Sequence, residues 1–131
     1  MIYDASALLA LIFDEPGSDV ASRHLGEGSI SAVNLAEVAS LLAARGASDS
    51  DLDALLADLP LAVIPFDGEM ARWRDGAGRR SAPPVDEEPR AVAWRSVCLA
   101  LGRLKNEHVL TDDRAWAELA SALDLKIELI R

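Results

Sequence analysis

One cysteine and two histidines in 131 residues remove most thiol and imidazole chemistry at the outset. Cys98 alone cannot form an internal disulfide, and with only His24 and His108 beside it no zinc-ligand pattern can be drawn. Long apolar runs are missing as well. The longest, Ala7 to Phe13, falls short of the roughly 20 residues that span a bilayer and meets Asp14 and Glu15 at once. The first residues have no basic flank and read as a core strand rather than a secretory leader, so a cytoplasmic protein without membrane contact is expected. Net positive charge is also lacking: the chain carries −9, which argues against a passive nucleic-acid binder. There is no internal repeat, no low-complexity tract and no boundary that would split the chain. A single domain over residues 1–131 is expected, long enough to bury about two thirds of its unfolded surface.

The charge is uneven. Residues 1–70 hold 12 acids against 2 arginines, whereas residues 71–105 hold 8 basic residues against 4 acids. A basic middle between acidic ends can grip phosphates while the acids hold a cation. An ordinary solvated charge pattern is the competing account.

Short β-branched stretches alternate with amphipathic ones, the pattern of a βα sandwich with a parallel sheet. Strands are expected near Met1–Asp4, Ser29–Val33, Leu61–Pro65, His108–Thr111 and Lys126–Ile130. Helices are expected over Ala5–Phe13, Gly17–Leu25, Asn34–Arg45 (with Gly46 as a left-handed stop), Ser48–Leu59 and Asp113–Leu123. The glycine- and proline-rich run from Gly76 to Pro84 reads as a loop. Asp86, Glu87 and Glu88 then read as the acidic first turn of a helix through Cys98 to Leu104.

Three of the apolar stretches run straight into an acid that opens a helix: Ile2-Tyr3-Asp4, Ile30-Ser31-Ala32-Val33-Asn34-Leu35-Ala36-Glu37, and Val109-Leu110-Thr111-Asp112-Asp113. On neighbouring parallel strands these acids would share the carboxyl edge of the sheet, where open α/β folds bind ligands. Carboxylates gathered there repel one another unless a divalent cation lies between them. Each acid has a plainer reading. Asp4 serves as an N-cap, Glu37 as the N3 partner of an Asn34 cap, and at least one of Asp112 and Asp113 as a cap. Capping alone would be met equally by Ser, Thr or Asn, so the recurrence of acids at three strand ends favours a metal site.

Taken in order, Ile2-Tyr3-Asp4-Ala5-Ser6-Ala7-Leu8-Leu9-Ala10-Leu11, Glu15-Pro16-Gly17, Ser31-Ala32-Val33-Asn34-Leu35-Ala36-Glu37-Val38, Cys98-Leu99-Ala100-Leu101 and Val109-Leu110-Thr111-Asp112-Asp113-Arg114-Ala115-Trp116 resemble the PIN-domain nucleases, specifically VapC-type toxins of bacterial toxin–antitoxin pairs. The resemblance covers essentially the whole chain. It implies a PIN-like three-layer α/β sandwich, with a central, mostly parallel five-stranded sheet flanked by helices. It also implies Mg²⁺- or Mn²⁺-dependent cleavage of RNA, a homodimer, and neutralisation by a small VapB-like antitoxin. Carried over by position, Asp4, Glu37 and Asp113 match family acids, while Ser6 and Thr111 match hydroxyls that line the same pocket. Asp112 stands where the family often has a small residue and is either an extra ligand or a cap.

One family acid is missing. Three residues before Cys98, where the third carboxylate belongs, this chain has Arg95. A unit charge a few ångströms from a metal is worth several kcal/mol even at an effective dielectric of about 20, so metal binding should weaken. Three accounts compete: a degenerate member that acts by binding antitoxin or RNA; compensation by Asp86, Glu87, Glu88 or Asp112; or Arg95 contacting substrate phosphate through its planar fork. Arg72, Arg79 and Arg80 are further candidates for the RNA backbone; Trp73 can stack on a base or equally pack against a dimer partner. Cys98 is expected to be inert core, Trp116 a packing anchor, and the two histidines uninformative. A phosphatase built on Asp4 is disfavoured because Ser6 stands two residues on, where an Asp-x-Asp pair would need a second acid.

Overall fold

A computed structural model of the chain describes residues 1–72 and 89–131, without the side chains of 89–96, 119 and 122. The strands are β1 (Ile2–Tyr3), β2 (Ser29–Ser31), β3 (Ala62–Ile64), β4 (His108–Thr111) and β5 (Lys126–Leu129). The helices are α1 (Ala5–Ile12), α2 (Ser18–Ser22), α3 (Ala32–Ala44), α4 (Asp49–Asp58), α5 (Pro89–Lys105) and α6 (Arg114–Leu123). Across the sheet the order is β3-β2-β1-β4-β5, with every pairing parallel, so the sheet is more uniform than expected.

Strand alternation builds the two cores. Ile2 and Val109 face Val97, Cys98, Leu99 and Leu101 of α5 and Trp116 and Leu123 of α6. Tyr3, Ile30 and Leu110 face the other way, against Ala7 and Leu8 of α1 and Leu35 and Val38 of α3. Both faces of the central strands are covered, which explains why those strands read as apolar runs rather than as alternating ones. Trp116 is the packing anchor it was expected to be.

The elements fall where expected; β4 has the expected bounds, the helix through Cys98 runs on to Lys105, and most of the others are shorter. β1 and β2 stop where a helix begins: Asp4, just after β1, and Ser31, the last residue of β2, occupy the N-cap positions of α1 and α3 in extended conformation. The Asn34 cap is a correction. Ser31 Oγ accepts the Asn34 N–H, so α3 starts at Ala32 and Asn34 lies inside its first turn. The expected helix over Gly17–Leu25 breaks into α2 and a 3₁₀ turn at Leu25–Glu27, where Gly26 disfavours a continuous α-helix. The Ser48 cap of α4 forms a full capping box with Asp51. The expected loop over 76–84, Trp73, and the acids Asp86, Glu87 and Glu88 lie outside the described residues. Among the described residues, no helix is long and apolar enough to cross a membrane.

Candidate active site

The register brings three distant segments level. Tyr3 pairs with Ile30 on one side and Leu110 on the other, so one residue further on Asp4, Ser31 and Thr111 end β1, β2 and β4 side by side. Asp4 is buried and takes three hydrogen bonds. Ser6 Oγ and Thr111 Oγ1 donate to its Oδ2 at 2.8 and 3.0 Å, and Asn34 Nδ2 donates to its Oδ1 at 3.2 Å. The donors are themselves held. Asp112 N–H donates to Ser6 Oγ at 3.1 Å, and Asp113 N–H donates to Thr111 Oγ1 at 3.1 Å. Ser31 Oγ donates to Asn34 Oδ1, which turns the Asn34 amide nitrogen towards Asp4. Among the described residues, no buried side-chain polar atom is left without a partner.

Burial raises the Asp4 pKa above its ordinary value. The Ser6 and Thr111 hydroxyls pull the other way, as do the N–H groups of Ala5 and Ser6, which favour the charge without forming a capping bond. Desolvation wins because the carboxylate is ringed by neutral donors.

Glu37 lies one turn beyond Asn34 on α3 and is half-buried. The buried Cys98 thiol of α5 reports on it. Burial raises that thiol well above its usual range, and the charges of Asp4 and then Glu37 push it further in the same direction. Both carboxylates therefore act on one point of α5, and Cys98 is the inert core residue expected of it, its Sγ 3.7 Å from the Tyr3 carbonyl oxygen. Asp113 caps α6 by accepting the Ala115 N–H at 3.0 Å. Asp112 takes a partner that its reading as an extra ligand did not foresee: its Oδ2 lies 2.5 Å from Nη2 of Arg131.

The structure thus joins Asp4, Ser6 and Thr111 directly and reaches Asp113 through its backbone. It does not gather the acids into one coordination shell: among the described residues, no three His, Cys, Asp or Glu side chains form a group that could hold a metal ion. The donor set nevertheless fits a hard cation in kind, with oxygen ligands only and a desolvated carboxylate short of positive charge. Arg72 is exposed, the Arg95 side chain is not described, and Arg79 and Arg80 lie outside the described residues. Asn34 is the functional-site residue that sequence reasoning misplaced. Its signal was Ser31-x-x-Asn34, the spacing of a cap and its N3 partner.

A buried acid at the carboxyl edge of a parallel sheet flanked by helices is a ligand-binding layout. The chain belongs to the PIN domain family, whose model matches residues 1–122. Among solved structures, a toxin–antitoxin complex from Klebsiella pneumoniae superposes with a TM-score of 0.74 at 12% identity, covering 99% of this chain and 97% of that one. VapBC2 from Rickettsia felis, bound to a DNA fragment from its promoter, gives 0.66 at 17% identity, covering 98% of both chains. DNA-bound VapBC from Salmonella typhimurium gives 0.65 at 14% identity, covering 99% and 97%. At these identities the likeness establishes the fold. Compared with the curated proteins by sequence, the chain finds no significant match.

Proposed function

We propose that this chain is the VapC-type toxin of a toxin–antitoxin pair, a metal-dependent endoribonuclease acting in the cytoplasm. The observation that carries the proposal is Asp4, buried at the junction of three parallel strands in a PIN fold and held by donors from α1, α3 and the end of β4. Asp4, Glu37 and Asp113 would hold Mg²⁺ or Mn²⁺, in part through water, since Mg²⁺ dehydrates reluctantly. Such an ion lowers the pKa of an attacking water and screens charge building up on the phosphate.

The protein's own part is to prepare the acids. Ser6 and Thr111 fix Oδ2 of Asp4, and Asn34 fixes Oδ1, so the carboxylate is oriented before any ligand arrives. Asp113, the cap of α6, and Glu37, on α3, would supply the remaining carboxylates. Arg95, Arg72, Arg79 and Arg80 would place the RNA backbone through phosphate contacts. A VapB-like antitoxin is the expected partner, supported by the complexes in which similar folds occur. A homodimer accords with the family resemblance.

RNA cleavage in Mn²⁺ tests the reading. The parent protein should cut RNA and Asp4→Asn should not; equal activity would refute the assignment.

A second reading is motivated by Arg95 standing where the third family acid belongs: a PIN scaffold that binds antitoxin or RNA without cutting. Arg95→Asp separates the two. A large gain in metal affinity and cleavage supports degeneration, and no change supports a competent site.

A further inference from the structure

The Glu15-Pro16-Gly17 turn plays no part in the site described above, yet it is packed against the chain that follows β5. Gly17 has φ +97°, and a Cβ there would stand 2.6 Å from the Ile130 carbonyl oxygen. Only glycine permits that contact without strain. The contact delivers Arg131 to a point between the turn and the active-site edge. Its Nη1 lies 3.4 Å from the Pro16 carbonyl oxygen and 3.6 Å from Glu15 Oε2, while Nη2 lies 2.5 Å from Asp112 Oδ2. From Asp112 the connection continues inward. The Asp112 N–H donates to Ser6 Oγ, and Ser6 donates to Asp4.

We propose that Arg131, seated on the Glu15-Pro16-Gly17 turn, is a positioning residue that neutralises Asp112 and holds it beside the cation-binding acids rather than among them. The inference rests on the reading of Asp4 as a metal ligand. Asp112 adjoins Asp113 in sequence and bonds through its N–H to the hydroxyl that holds Asp4. Unpaired, it would add a negative charge to the site, and the number of such charges tunes affinity for hard cations. The guanidinium suits the task because its rigid fork reaches acceptors in two separate segments at once.

The experiment is a calorimetric Mn²⁺ titration of the full chain, with folding checked by circular dichroism. Arg131→Met should bind Mn²⁺ about fivefold more tightly and Asp112→Asn about fivefold more weakly, the scale expected of one charge near a divalent ion in a wet crevice. The double variant should return to within about twofold of the parent, because it removes both charges of the pair. Arg131→Lys, which keeps the charge, should stay near the parent. Unchanged or weaker binding by Arg131→Met overturns the proposal. If that variant does not fold, unchanged affinity in Asp112→Asn overturns it instead. A parent that binds no Mn²⁺ removes the metal reading and this inference together, whereas a parent that binds with all variants alike removes only the inference.

Discussion

At the carboxyl edge of the sheet, polar side chains from Asp4 after β1 and from α1, β2, α3 and β4 bond to one another; at the amino edge they bond mainly to the ends of helices. Asp4, Ser6, Ser31, Asn34 and Thr111 form one connected set, four of them buried. Below, Asn106 follows α5 and Asp124 closes α6, both in left-handed conformation. Arg103 donates to the Leu123 carbonyl oxygen at 2.7 Å and Lys126 to that of Asn106 at 3.4 Å. The amino-edge bonds are separate: two close a helix end, and the Met1 ammonium pairs with Glu107 apart from them. The carboxyl-edge bonds share members, so losing one strands its neighbours. An edge built only for stability needs no buried acid, and this difference is what supports the proposed site at the upper edge.

Four substitutions would break or sharpen that contrast, taken from the largest effect to the smallest. Asp4→Asn should lower RNA cleavage by at least about 10–100-fold, the range seen when even outer partners of a metal ligand are lost. The same variant should unfold at a higher temperature than the parent at neutral pH. The sign follows from linkage. The unfolded chain has the ordinary carboxylate pKa and the fold raises it, so stability falls as pH climbs through the raised value. Asparagine removes that dependence, and its amide can still be satisfied by Asn34 and the two hydroxyls. Thermal melts across pH 4–8 check this; a parent curve no steeper than that of the variant would contradict it.

Thr111→Val comes next. It withdraws a donor from Asp4 and an acceptor from the Asp113 N–H, at a cost of about 2 kcal/mol read from urea unfolding. Ser31→Ala should cost about 1–2 kcal/mol by removing the α3 cap and releasing the Asn34 amide. Arg103→Ala, at the opposite edge, should cost only about 1 kcal/mol. It should leave cleavage unaltered in the assay that Asp4→Asn fails. A loss of activity there would erase the distinction between the two edges.

The parallel strands, the two-sided core and the acids that follow β1 and β4 were legible because each is a local pattern: β-branched runs, helical spacing, an acid at a junction; Glu37 instead lies inside α3, beyond the end of β2. Asp4, Ser6 and Thr111 could be named because they lie within two residues of such junctions. Asn34 was misplaced because Ser31 ends β2 and caps α3 at once, while its strand-like surroundings announce only the first of these roles. The partner of Asp112 was out of reach for a different reason. Arg131 is 19 residues away and is delivered by packing of Ile130 on Gly17, a contact that no periodicity announces. Strand lengths were overestimated wherever a cap ended the strand early, since capping residues and strand residues share the same extended backbone.

Cys98 makes the seam between α5 and β1 open to inspection. Its sulfur lies beneath the Tyr3 carbonyl, one residue before the acid at the centre of the site, and it is sealed from solvent. A thiol-specific reagent can reach it only when that seam parts. The rate of its labelling is therefore an internal gauge of how often the floor under Asp4 opens, available in the natural chain without introducing any probe.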